Sequence, residues 1–129
     1  MKFTIDKHER YVSITPHEEV LDGVTAPKIK SEFVLLNTDG QRNIVLDLSH
    51  AKSIDTSGLR CALTAHRLCH TAGGIFIICC ANEEIMRLID LSNLKDVLHV
   101  VPTSDEAEDL IFMEELEREF RGQVATDEE

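Results

Sequence analysis

Asp55-Thr56-Ser57-Gly58 sets a carboxylate, two hydroxyls and a glycine immediately ahead of an amphipathic stretch. Asp, Thr and Ser are the residue types that cap helix N-termini, and glycine admits close backbone approach. A serine hydroxyl placed there lies where free N–H groups and the helix dipole favour an anion. A phosphate esterified to it would bring about −1.5 to −2 charges. Its own helix would tolerate that charge while the outward surface changed. An ordinary capped helix carries the same residue types, so the string alone does not decide between the two readings.

Other chemistries are poorly served by this chain. Ser57 as a nucleophile would need His50 or His66 as base, but no G-x-S-x-G elbow surrounds it. A serine at a helix start is not itself activated. Asp55-Thr-Ser-Gly58 differs by one residue from an aspartic-protease D-[ST]-G string, and no duplicate half exists to complete a dyad. His66, Cys69 and His70 share one helical stretch, with 66 and 70 on one face, yet no second ligand pair accompanies them and zinc needs three or four ligands. His8, His17 and His99 stand isolated in the sequence. No G-x-x-x-x-G-K-[ST] loop is present. The expectation is a protein without enzymatic activity, metal or cofactor.

The elements that must position Ser57 are legible as alternating strands and helices. Phe3 and Ile5, then Tyr11-Val-Ser-Ile14, read as two short strands. Ala26, Ile29, Phe33 and Leu36 recur at helical spacing, and Asn37-Thr-Asp-Gly40 ends that helix. Asn43-Ile-Val-Leu-Asp-Leu48 reads as a central strand covered on both faces. Ser49 to Ile54 is a connector. A second helix runs from about Ser57 to Thr71, with Gly73-Gly74 as its stop. Ile75 to Cys80 is a buried strand, and Asn82 caps a short helix carrying Ile85, Leu88 and Ile89. Val97 to Val101 is a further strand. Thr103 and Glu106 form a capping box for a last helix. The order predicts an α/β protein with a mostly parallel or mixed sheet of about five strands covered by about four helices.

Composition narrows the function. The 129 residues carry 13 basic and 24 acidic side chains, a net charge of −11, with 43% hydrophobic residues. That suits one domain with a packed core. Nucleic acid is excluded as a partner, because phosphate contacts need a basic face and no Trp is available for stacking. No apolar run approaches the ~20 residues that cross a bilayer. The first residues lack a secretory h-region, so a cytoplasmic protein without membrane contact is expected. Of the four cysteines, Cys61, Cys69, Cys79 and Cys80, most are expected as small buried hydrophobes. Cys79 and Cys80, closing a strand, should point to opposite faces.

The ordered set Leu21-Asp-Gly-Val-Thr-Ala-Pro27, Leu46-Asp-Leu-Ser49, Ile54-Asp-Thr-Ser-Gly-Leu59, Ala72-Gly-Gly74, Ile85-Met-Arg-Leu-Ile-Asp-Leu91 with Leu94, and Val101-Pro-Thr-Ser-Asp-Glu-Ala107 resembles the STAS domain of bacterial anti-sigma-factor antagonists. The resemblance spans roughly residues 3–112. It implies a STAS-like fold and a partner switch. The unphosphorylated form would bind an anti-sigma factor that is also a serine kinase, which frees the sigma factor. Phosphorylation of the serine before the motif glycine would release it, and a PP2C-type phosphatase would restore it. By that resemblance Ser57 is the phosphoacceptor, with Asp22, Asp55, Thr56 and Gly58 as its neighbours. Asp22 and Asp55 would either orient the hydroxyl or cap loops. The faces around Ser57, Leu59 and Arg60 are the expected docking surface. STAS-like domains also serve as stress-signalling adaptors and lipid-transport subunits, which is the competing reading.

Residues 1–112 are expected to form the STAS domain and 113–129 a C-terminal helix extension with a frayed acidic tail from Gly122. The run Glu114 to Glu119 reads as a solvated helix face. The Phe112/Leu116/Phe120 row is expected to pack on the domain, with a homodimer as the other way to cover it.

Overall fold

Period-two burial in the central strands organises the molecule. In the computed structural model, which describes residues 2–127 and the side chains through 122, β4 (Ile44–Asp47) turns Ile44 and Leu46 to one face and Val45 to the other. β6 (Phe76–Cys79) does the same, with Phe76 and Ile78 opposite Ile77 and Cys79. Strands covered on both faces read as continuous apolar runs, and these two are the middle of the sheet. β1 (Phe3–Lys7), β2 (Val12–Pro16) and β7 (His99–Val101) complete it in the order β1-β2-β4-β6-β7. β1 and β2 are antiparallel, and every other pair is parallel.

The helices divide between the faces. α1 (Ala26–Thr38), α2 (Thr56–Thr71) and α3 (Glu83–Leu91) bury Phe33, Ala62, Ala65, Ile85 and Ile89 over one face. There the Phe33 and Phe76 rings meet edge to face at 5.6 Å. α4 (Ser104–Asp127) covers the other face through Ala107 and Ile111. The caps are those the sequence predicts. Asn82 Oδ1 accepts from the Ile85 amide at 2.9 Å, and Thr103 Oγ1 from the Glu106 amide at 3.2 Å. Gly73, at φ +81°, ends α2.

Four features differ from the sequence reading. First, the connector Ser49–Ile54 contains a strand, β5 (Ser53–Ile54), which pairs in parallel with β3 (Val20–Leu21) to make a second, two-stranded sheet. Second, Cys79 and Cys80 do not point apart. Cys80 lies beyond β6 at φ +63°, and both residues pack into the α4-side cluster. Third, the Phe112/Leu116/Phe120 row is not buried against the domain: these residues are 48%, 41% and 68% exposed, and only Phe112 is partly covered, by the Arg10 guanidinium 5.2 Å from its ring centroid. The stripe that α4 turns inward is Ala107, Ile111 and Glu115, one residue before the apolar row. Fourth, α4 is helical to Asp127, so the expected fraying from Gly122 is not seen as far as that residue. Residues 128 and 129 lie outside the described residues.

Glu115 closes the far end of this layer. It is 9% exposed and accepts hydrogen bonds from Asn43 Nδ2 at 2.7 Å, Arg42 at 2.9 Å and Arg118 at 3.1 Å. Burial pushes its carboxyl up, but the bonds from Arg42 and Asn43 and the two guanidinium charges outweigh that and hold it below its ordinary value. Asn43 in turn donates to the Arg10 carbonyl and accepts from the Ile75 amide. One buried amide thus ties β2, β4, β6 and α4 together.

Candidate functional site

The small β3–β5 sheet places Ser57. The Lys52 and Ser53 amides donate to the Glu19 carbonyl, and the Asp55 amide donates to the Leu21 carbonyl at 3.0 Å. The chain enters α2 directly from this ladder. Asp55 is extended and its Oδ1 accepts from the Gly58 amide at 3.1 Å, an N-cap bond. Gly58 is the residue that lets α2 begin so close to the ladder. A Cβ there would collide with the Ile54 side chain and sit 2.9 Å from the Leu21 carbonyl oxygen.

The first loop packs beside the serine. A Cβ on Gly23 would lie 3.6 Å from Ser57 Oγ. Asp22 Oδ1 accepts from the Val24 amide at 2.9 Å and the Thr25 amide at 3.1 Å, which closes the turn ahead of α1. Those two backbone bonds hold its carboxyl below the ordinary carboxylate range. Asp55 therefore caps α2 and Asp22 closes the turn before α1, so each fixes one of the two loops that meet at Ser57.

Ser57 is half-buried in the first turn of α2, between exposed Thr56 and buried Gly58. Among the described residues no buried side-chain oxygen or nitrogen lacks a partner, and nothing hydrogen-bonds to Ser57 Oγ. The hydroxyl is therefore open to solvent. Arg60 is exposed one turn further on. Leu59 is not: at 5% exposed it belongs to the core, and this corrects its expected place on the docking surface. Leu59 joins the cluster that holds Leu21 and Ile54, under the β3–β5 ladder. The exposed apolar side chains of the β3 segment and the loop that meets Ser57 are instead Val24, 71% exposed and next to Gly23, and Val20, 45% exposed. Sequence reasoning passed over both. The available signal was an apolar residue inside a Gly-Val-Thr turn, where solvent-facing residues are usually polar.

The competing chemistries fare differently. His66 follows Ser57 by nine positions on the same helix, about 14 Å of rise, so the two form no dyad. His50 packs against His17, with ring centroids 4.6 Å apart. Cys69 is fully buried, and among the described residues it does not come together with His66 and His70 as a ligand cluster. His99, isolated in the sequence, comes within 6.4 Å of His66 at the far end of α2.

A five-stranded mixed sheet covered by four helices, with Ser57 in the first turn of α2, defines the class of domain. The chain belongs to the STAS domain family, whose model matches residues 2–107. The Anti-sigma F factor antagonist of Paenibacillus polymyxa is 27% identical over 95 residues, covering 73% of this chain and 81% of that protein. A Thermotoga maritima protein described as a candidate anti-sigma factor antagonist superposes with a TM-score of 0.80 at 26% identity, covering 84% of this chain and 93% of that one. Bacillus SpoIIAA, an anti-sigma factor antagonist, shares the fold at 19% identity. Its unphosphorylated form gives a TM-score of 0.72 over 85% of this chain and 96% of that chain, and its phosphorylated form 0.66 over 85% and 99%. Among the described residues no helix is long and apolar enough to cross a membrane.

Proposed function

We propose that this protein is an anti-sigma factor antagonist whose partner binding is switched by phosphorylation of Ser57. The observation that carries the reading is the solvent-open, unbonded Ser57 hydroxyl at the first turn of α2, between two loops whose aspartates are already committed to backbone amides. The named relatives, and a fold that SpoIIAA keeps in both its unphosphorylated and phosphorylated forms, support the same reading.

In this reading the protein is a substrate and not an enzyme, and it works in the cytoplasm. Its partners are an anti-sigma factor that is also a serine kinase and a PP2C-type phosphatase. Residues 1–112 are the switching domain and 113–129 an addition to it. The hydroxyl attacks the γ-phosphorus of ATP held by the kinase, ADP leaves, and the hydroxyl proton passes to a base on the kinase. The free amides at the start of α2 accommodate the new dianion. Asp22 and Asp55 then share a small surface with it, and like charges raise the negative potential that a docked partner meets. Docking rests on Ser57, Arg60, Val24 and Val20, a small apolar anchor with a charged rim.

The test is incubation with the cognate kinase and ATP, with the modified residue mapped by mass spectrometry. Phosphate on Ser57, absent from Ser57→Ala, is expected. Full labelling of Ser57→Ala would overturn the assignment. Ser57→Asp should bind the partner at least about tenfold more weakly, about 1.4 kcal/mol.

A further inference from the structure

We propose that Asp47, Cys79 and Cys80 form a binding site for a thiophilic divalent cation, with zinc as the first case. The site lies on the α4 face of the sheet, away from the helices that carry Ser57. One sulfur from each cysteine and one Asp47 oxygen already lie within 4.8 Å of one another. Tetrahedral zinc with bonds of 2.0–2.3 Å brings its ligand atoms to about 3.5–3.8 Å, so closure asks for roughly 1 Å of side-chain adjustment.

The backbone is what gathers the two thiols. Consecutive residues of a strand point to opposite faces. Cys80 escapes that rule by adopting φ +63°, a conformation costly for a residue with a Cβ. The result is two adjacent sulfurs on one side of the sheet, beside a carboxylate from the neighbouring strand. Asp47 accepts the Ser49 amide on Oδ1 at 2.9 Å, which fixes the carboxylate, and it also hydrogen-bonds with the Cys80 thiol, a bond that a cation would replace. The Ser104 amide, opening α4, hydrogen-bonds to the Cys80 sulfur. Burial nonetheless pushes both thiols above their ordinary value, so a cation would have to displace their protons.

Access and charge complete the case. Asp47 and Cys79 line a cleft of about 300 Å³ together with Asp6, His8, Asp105 and Glu108. Four carboxylates around one mouth raise the local concentration of cations. Binding would convert two thiols to thiolates, release two protons to solvent and leave solvent at the fourth position. No oxidant is involved. Affinity should therefore fall as pH falls, because protons compete for the sulfurs.

The experiment uses the full chain, reduced and stripped of metal. Zinc is titrated in competition with a chromophoric chelator, and cadmium is followed by its thiolate-to-metal ultraviolet band. One cation per chain is expected, with the cadmium band present. Cys80→Gly removes the sulfur while relieving the positive φ, so it should fold, which circular dichroism checks. Loss of a supporting residue around a metal ligand costs about 10–100-fold, so loss of this ligand should weaken zinc by at least about 100-fold. Asp47→Asn should weaken it at least about tenfold. Cys61→Ser, on the other face, should change nothing. The proposal is overturned if the wild-type chain takes up no zinc, if Cys80→Gly binds as tightly as wild type, or if binding is lost only in His66→Ala, which would place the cation at the histidines of α2. None of these outcomes depends on whether Ser57 is phosphorylated.

Discussion

Gly58→Ala puts the geometry of the switch under direct test. In a helix interior, alanine is favoured over glycine by about 1 kcal/mol, so propensity alone predicts a more stable protein. Contact predicts the opposite. The added methyl would collide with the Ile54 side chain and meet the Leu21 carbonyl oxygen at 2.9 Å. Ile54 can turn away, but the carbonyl belongs to the β3–β5 ladder and accepts the Asp55 amide, so backbone must move. Overpacking of this kind costs about 1–3 kcal/mol, and a clash with both side chain and backbone lies toward the upper end. The net expectation is a loss of about 1–2 kcal/mol, several degrees in Tm for a domain of this size. Gly122→Ala on α4 is the control. Among the described residues nothing lies within 4 Å of its added Cβ, so Tm should hold or rise slightly. Both are read by thermal unfolding followed by circular dichroism. A Tm for Gly58→Ala equal to or above wild type would refute the close-approach argument. Because the same shift moves α2 away from Gly23, phosphorylation of Ser57 should slow in that variant as well.

Asp55→Ala removes the N-cap bond to the Gly58 amide and should cost about 1 kcal/mol by denaturant unfolding, with the m-value unchanged. Glu115→Gln should cost about 1–3 kcal/mol, because it discharges the buried acceptor shared by Asn43, Arg42 and Arg118; the lower end allows for the partial exposure of Arg42. Glu115 has a folded-state pKa below its ordinary value, so the stability it adds is fully present above the unfolded value near 4.5 and is lost as pH falls through the lowered one. Wild type should thus lose stability below about pH 4.5 more steeply than Glu115→Gln. Parallel pH profiles for the two would sink that account. Cys61 and Cys69, whose thiols burial pushes up to about 12, should resist a thiol reagent at neutral pH until the protein is unfolded.

The large elements were legible because each repeats its signal. Ala26, Ile29, Phe33 and Leu36 mark one helical stripe four times, and β4 and β6 are apolar throughout because both faces are covered. The parts that build the site lack that redundancy. β3 and β5 have two residues each, too short to show any alternation, and they exist only because each supplies the other's hydrogen bonds. Leu59 was misplaced for a related reason: its exposure depends on which way Gly58 faces, and that is set by contact with Ile54 and Leu21 from outside the helix. Cys80 departs from the strand rule at a single dihedral angle. Local periodicity therefore reports the layers of the sheet, whereas the switch surface is made by long-range pairing of segments too short to have a period. The site is consequently the region most exposed to single substitutions. Val20–Leu21, Ser53–Ile54 and the Gly58 contact stand in series between the core and Ser57, and loosening any one of them should shift the hydroxyl while the five-stranded sheet stays intact.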